Sequence, residues 1–147
     1  MASVANFAPA FRTLFVWSMQ ALTLPPFLLF LLAALANLIA ALICQKPLRS
    51  GMWKRWCYLS LAQLAFFPAI VCVGALFPAE HVRANSANPV GEWACDILGV
   101  LSLALGAYWI YRSKGFRWFA ASVVFLVEII LMGALFIAGM AVSGDWL

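Results

Sequence analysis

Residues 118–142 read WFAASVVFLVEIILMGALFIAGMAV, an apolar run in which Glu128 is the single charged side chain. At 1.5 Å per residue a helix of this length outspans the roughly 30 Å hydrocarbon core of a bilayer. Three earlier stretches, 26–44, 57–77 and 93–111, come close to the roughly 20 helical residues that a crossing needs. Across the 147 residues, 67% are hydrophobic, 10% are charged and the mean hydropathy is +1.02. Soluble domains carry about a quarter charged residues, so this chain needs lipid as its solvent.

Inside lipid every backbone donor and acceptor must be paired within the protein, which leaves helices or closed barrels. The alternating strands of a barrel are missing here, and the expected fold is all-α: a polytopic membrane protein with four transmembrane helices. Charged residues fall in short clusters between the apolar runs and leave no room for a soluble unit. Residues 1–147 are therefore expected to form a single domain.

Orientation follows from the basic residues, which cells retain on the cytoplasmic side of a span. Lys46, Arg49, Lys54 and Arg55 lie between the first two runs, and Arg112, Lys114 and Arg117 between the last two; together they are seven of the nine basic residues. The middle connection, with Glu80, His81, Arg83 and Glu92, and the C-terminus with Asp145 are neutral to acidic. Loops 45–56 and 112–117 are thus expected in the cytoplasm, with both termini on the outer side of what would be a bacterial cytoplasmic membrane. Trp53, Trp56, Tyr108, Trp109, Tyr111 and Trp118 flank the basic loops, where amphipathic rings favour headgroups.

The net charge of +4 is confined to these loops and forms no basic face, which argues against nucleic acid as a partner. Arg49, Lys54, Arg55, Arg112, Lys114 and Arg117 read instead as contacts to anionic lipid headgroups.

Before the first run, residues 6–23 place Phe7, Ala10, Phe11, Leu14, Phe15, Trp17 and Leu22 on one helical face and Arg12, Thr13, Gln20 and Thr23 on the other. The pattern predicts an amphipathic helix at the interface, ended by Pro25 and Pro26. A cleaved signal peptide fits less well, because Arg12 is the only early charge and no short apolar core follows it. The two halves also share short strings. Gly74-Ala75-Leu76-Phe77 recurs as Gly133-Ala134-Leu135-Phe136, and Arg55-Trp56 as Arg117-Trp118, in a match that needs a gap. Duplication and the general likeness of apolar helices explain it equally well.

Glu128 is the acidic side chain that lies deep within a run, roughly 15 Å beyond Trp118. A carboxylate at that depth costs about 2.5 to 3.5 kcal/mol, so it is expected to face the bundle interior and be neutralised by a proton, paired, or near water. No Lys or Arg shares its depth. Asn37, Gln63 and Ser102 do, each roughly 9 to 14 Å from the cytoplasmic boundary, so that each span supplies one polar group to the same slab. They form either a set of interhelical hydrogen bonds or a proton or ligand site around Glu128.

The four cysteines include no CxxC pair and read as buried small residues, with a Cys72–Cys95 disulfide a lesser option. One histidine, His81, is too few for a metal site or a bis-histidine haem, and no cofactor is expected. No phosphate-binding loop or nucleophile elbow is present.

A non-catalytic subunit or assembly partner of a larger membrane complex is the first expectation, with membrane lipids and other subunits or further copies of the chain as partners. A small proton- or cation-coupled transporter built on Glu128 is the alternative, and a lipid- or quinone-acting enzyme the next. For orientation, single cysteines placed in the 45–56 loop should resist impermeant thiol reagents added from outside and label only after the membrane is opened. Labelling in intact cells would reverse the topology.

Overall fold

The computed structural model describes residues 4–45, 53–78 and 88–144, with side chains in 7–44, 58–78 and 88–144. Among the described residues the chain is all-helical. It runs α1 (Val4–Ala21), α2 (Pro25–Gln45), α3 (Trp53–Leu64), α4 (Phe66–Leu76), α5 (Pro89–Arg112) and α6 (Arg117–Ser143). Four segments are long and apolar enough to cross a membrane: Pro25–Cys44, Tyr58–Leu76, Pro89–Arg112 and Arg117–Ser143. They coincide with the four expected runs, and α5 starts a turn earlier than 93 because Asn88 caps it. The Asn88 Oδ1 accepts from the Gly91 N–H, and Pro89 takes the first helical position, where a missing N–H costs nothing.

The second crossing departs from the expected unbroken helix over 57–77, because it divides at Ala65 into α3 and α4. Pro68 is the cause. It has no N–H to offer the Leu64 carbonyl four residues back, and its ring crowds that carbonyl. The Ala65 N–H still bonds Leu61 O at 3.1 Å, so the break is confined to one turn.

Helix α6 is the axis of the bundle and packs against each of the other five helices. Its buried residues, among them Phe119, Val127, Leu131, Ala134, Ala138 and Val142, lie on more than one face, as befits a helix with neighbours all round. The connection from α5 to α6 is tight. Gly115, at φ 88°, makes the left-handed turn that a side chain would strain, and Phe116 N–H bonds Ser113 O at 3.0 Å.

Contacts at the two ends fix the up-down order. At one end Ala41 of α2 packs with Phe119 and Ala120 of α6, flanked by Leu59 of α3 and Ile110 of α5. Arg112, Lys114 and Arg117 sit at this end, exposed. At the other, Asn88 N–H bonds Val142 O at 3.0 Å, and a Cβ on Gly91 would stand 2.7 Å from a Val142 methyl and 2.9 Å from the Phe77 Cβ. Only glycine lets the start of α5 sit between the ends of α4 and α6.

Helix α1 docks in the groove between α4 and α6, and the glycines of the two repeated strings, Gly74 and Gly133, lie in its floor. A Cβ on Gly74 would meet Leu14 Cδ1 at 3.2 Å and Ala138 at 3.1 Å; one on Gly133 would meet Leu22 Cδ2 at 3.0 Å and Ser18 O at 3.4 Å. Close approach of this kind calls for small residues on both helices. The buried face accordingly includes Ser18 and Ala21 beside the expected Leu14, while Trp17 is 41% exposed and Phe15, 39% exposed, meets the bundle edge-on at Phe67. The buried Ser18 hydroxyl donates to Leu14 O at 2.7 Å, one turn back, so it enters the contact satisfied.

Gly133→Val should push α1 out of its groove and lower stability by about 1 to 3 kcal/mol. Gly139→Ala, whose added methyl meets nothing within 4 Å, should be neutral or stabilising. Thermal unfolding in detergent, with proteolysis of residues 4–21 as a local readout, compares the two.

Candidate functional site

Three helices converge on one carboxyl group. Glu128 lies near the middle of α6 and is half-buried, while Gln63 of α3 and Ser102 of α5 are 1% and 0% exposed. Gln63 Nε2 donates to Glu128 Oε1 at 2.6 Å, and Ser102 Oγ donates to the same oxygen at 2.7 Å. A carboxyl oxygen has two lone pairs, and these two donors occupy both.

Local sequence makes this convergence possible. Ser102 shares the buried face of α5 with Cys95 and Gly106, and a Cβ on Gly106 would fall 2.6 Å from Val124 Cγ1, 3.1 Å from Gln63 Nε2 and 3.7 Å from Glu128 Oε1. Glycine at 106 therefore brings α5 against α6 at the level of the carboxyl and leaves room for the amide. Gln63 is placed by the last turn of α3, immediately before the break at Ala65. The amide thus projects from the end of a short helix whose continuation, α4, runs on independently into the core.

Of the four polar residues expected in one slab, the structure brings Glu128, Gln63 and Ser102 together. Asn37 is not with them: it is exposed on α2. Helix α2 turns its alanines, Ala34 and Ala41, to the bundle, and Asn37 stands on a flank of that face. Depth in a span was legible from residue counting, but rotation about the helix axis was not.

No family model, curated protein or solved structure matches this chain. The site is accordingly understood from its own geometry. Among the described residues no group of three His, Cys, Asp or Glu side chains could hold a metal ion. Cys44, Cys72 and Cys95 are free thiols, so the Cys72–Cys95 disulfide is not formed. Cys57 falls outside the described side chains, as do Arg49, Lys54 and Arg55 of the expected lipid-contacting set. The remaining three, Arg112, Lys114 and Arg117, are exposed together at the α5–α6 turn.

Two features escaped the sequence reading. Glu92, expected in the connection before α5, lies in its first turn, and Asp96 is a further carboxylate about two turns into that helix. It is exposed and lines a surface groove with Glu92, Cys95, Gly99 and Gly139. Its position three residues beyond Trp93 was the available signal. The break beside Gln63 was likewise signalled by Pro68. On the opposite side of α6, an apolar groove of about 430 Å³ between α2, α3 and α6 is lined by Leu38, Leu42, Ser60, Leu64, Phe119 and Val127, among others. It does not reach the carboxyl.

Glu128→Leu should leave the buried Gln63 and Ser102 donors without an acceptor, at about 1 to 3 kcal/mol for each. Glu128→Gln keeps an oxygen in place for both, and its loss should stay near 1 kcal/mol or below. Unfolding of the two variants in detergent separates them; equal losses would show that the hydrogen bonds contribute little. Gly106→Ala should behave like Glu128→Leu, because a stiff valine cannot yield to the new methyl.

Proposed function

We propose that the chain is a small, non-catalytic integral membrane subunit that works by binding other membrane helices, with its termini on the outer face of a bacterial cytoplasmic membrane. The observation that carries this reading is Asn37. Helix α2 is the most apolar of the four candidate spans, with a mean hydropathy of 2.7, and only 11% of it is buried within the chain. Near its middle it presents an amide on an exposed flank. In hydrocarbon an amide with no partner costs several kcal/mol, and lipid tails supply none. An exposed amide at that depth is accounted for by a contact with another helix.

The buried carboxyl fits the same reading. Two neutral donors on two other helices converge on Glu128 and tie α3, α5 and α6 together, as interhelical hydrogen bonds do in membrane bundles. In this reading α1 extends the contact surface on the outer side. Arg12, Thr13 and Gln20 are exposed on it beside Phe15, Val16 and Trp17, a mixture suited to the headgroup boundary.

A second reading, proton or cation coupling at Glu128, is favoured by the helix break at Ala65, because interrupted helices line the ion sites of many transporters. Under it, proteoliposomes holding the purified chain should show a proton or cation flux that Glu128→Gln abolishes while the protein still folds. Under the subunit reading, the chain extracted from its native membrane in mild detergent should carry other membrane polypeptides or copies of itself in constant ratio, seen by native mass spectrometry. A lone monomer that conducts protons would overturn it.

A further inference from the structure

Helix α2 offers a more specific conclusion, which rests on the subunit reading for its premise that this helix is a contact surface. We infer that the partner at Asn37 is a second copy of this chain, held by a parallel α2–α2 contact in which the two Asn37 side chains hydrogen-bond across a twofold axis normal to the membrane.

The first argument is chemical complementarity. An amide is both donor and acceptor, so a copy of itself satisfies it. All copies of one chain insert with the same topology, and a twofold axis along the membrane normal places Asn37 of one copy at the depth of Asn37 in the other. A different protein would need a polar group of its own at that depth.

The second argument is the surroundings of the amide. Ala33, Asn37 and Cys44 are exposed and Ala40 is half-buried, along the flank that borders the bundle-facing side of Ala34 and Ala41. Their spacing of four, three and four residues is the seam of two helices crossing at a shallow angle. The residues beside Asn37 on the seam are alanines, so two backbones can come near enough for a side chain as short as asparagine to reach its counterpart. The farther side of α2 carries large groups, Leu32, Ile39 and Ile43 at 54%, 57% and 68% exposure, while on the seam Phe30, 58% exposed, stands a full heptad before Asn37, clear of the amide.

Cys44 lies one heptad beyond Asn37, on the same seam, and therefore serves as a native reporter. Variants carrying a single cysteine at 33, 40 or 44, and at 32, 39 or 43 for comparison, would be oxidised in native membranes with copper phenanthroline. Disulfide-linked homodimers are expected for 33, 40 and 44 and not for 32, 39 and 43. Asn37→Leu should slow cross-linking at 44 by about ten-fold or more, the scale of one or two membrane hydrogen bonds, while Asn37→Gln should largely restore it. Preferential cross-linking at 32, 39 and 43, or indifference of Cys44 to Asn37→Leu, would overturn the contact. Adducts at 33, 40 and 44 to a different protein of discrete mass would overturn the self-pair and leave the subunit reading standing. Absence of any adduct, together with a monomer in native mass spectrometry, would overturn both.

Discussion

A carboxyl group surrounded by hydrocarbon has to be satisfied by the protein itself, and at Glu128 two neutral donors meet that demand. The demand is geometric as well as energetic. Gln63 and Ser102 come from different helices, so both must be held at hydrogen-bonding distance from α6 at one level of the bundle. Gly106 permits it on the α5 side, and the short helix ending at Leu64 permits it on the α3 side. Since α6 also packs against α1, α2 and α4, the constraint at one oxygen atom fixes the relation of half the helices and is transmitted to the rest through their shared neighbour.

The two halves of the bundle solve the packing problem differently. On the side of the basic α5–α6 turn, Phe119 fills the space beside Ala41 and Ala120, a large group set among small ones. On the opposite side, Gly74, Gly91 and Gly133 bring backbones together directly. The recurring Gly-Ala-Leu-Phe string gains a physical meaning there, because the glycine of each copy faces α1. This shared task accounts for the likeness without deciding whether it arose by duplication.

Hydropathy and length made the four crossings legible, since a span needs little more than about 20 apolar residues. Depth was legible too: counting residues from the span ends put Glu128, Gln63 and Ser102 in one slab, and they meet. Rotation was not, because a helix with apolar residues on every side carries no period to indicate which face turns inward. Asn37 is grouped with the cluster for that reason, and on α1 the apolar face read for an interfacial helix leaves out Ser18 and Ala21, which are buried. In lipid the inner face is marked by small residues rather than by hydrophobic ones. The division of the second crossing was available from Pro68, a residue that membrane helices often accommodate with a bend and that here ends one helix and starts another.

The seat of α1 between α4 and α6 bears on how the molecule is built during synthesis. Helix α1 is made before α6, yet α6 forms one wall of its groove. Until α6 has entered the membrane, the Gly133 half of the floor does not exist, and Leu14, Ser18 and Ala21 have only α4 to lean on. Helix α1 must therefore wait for α6, and its docking follows the insertion of the helices between them. Val16 and Trp17, exposed on α1 in the finished bundle, are apolar surface that α1 carries throughout that delay.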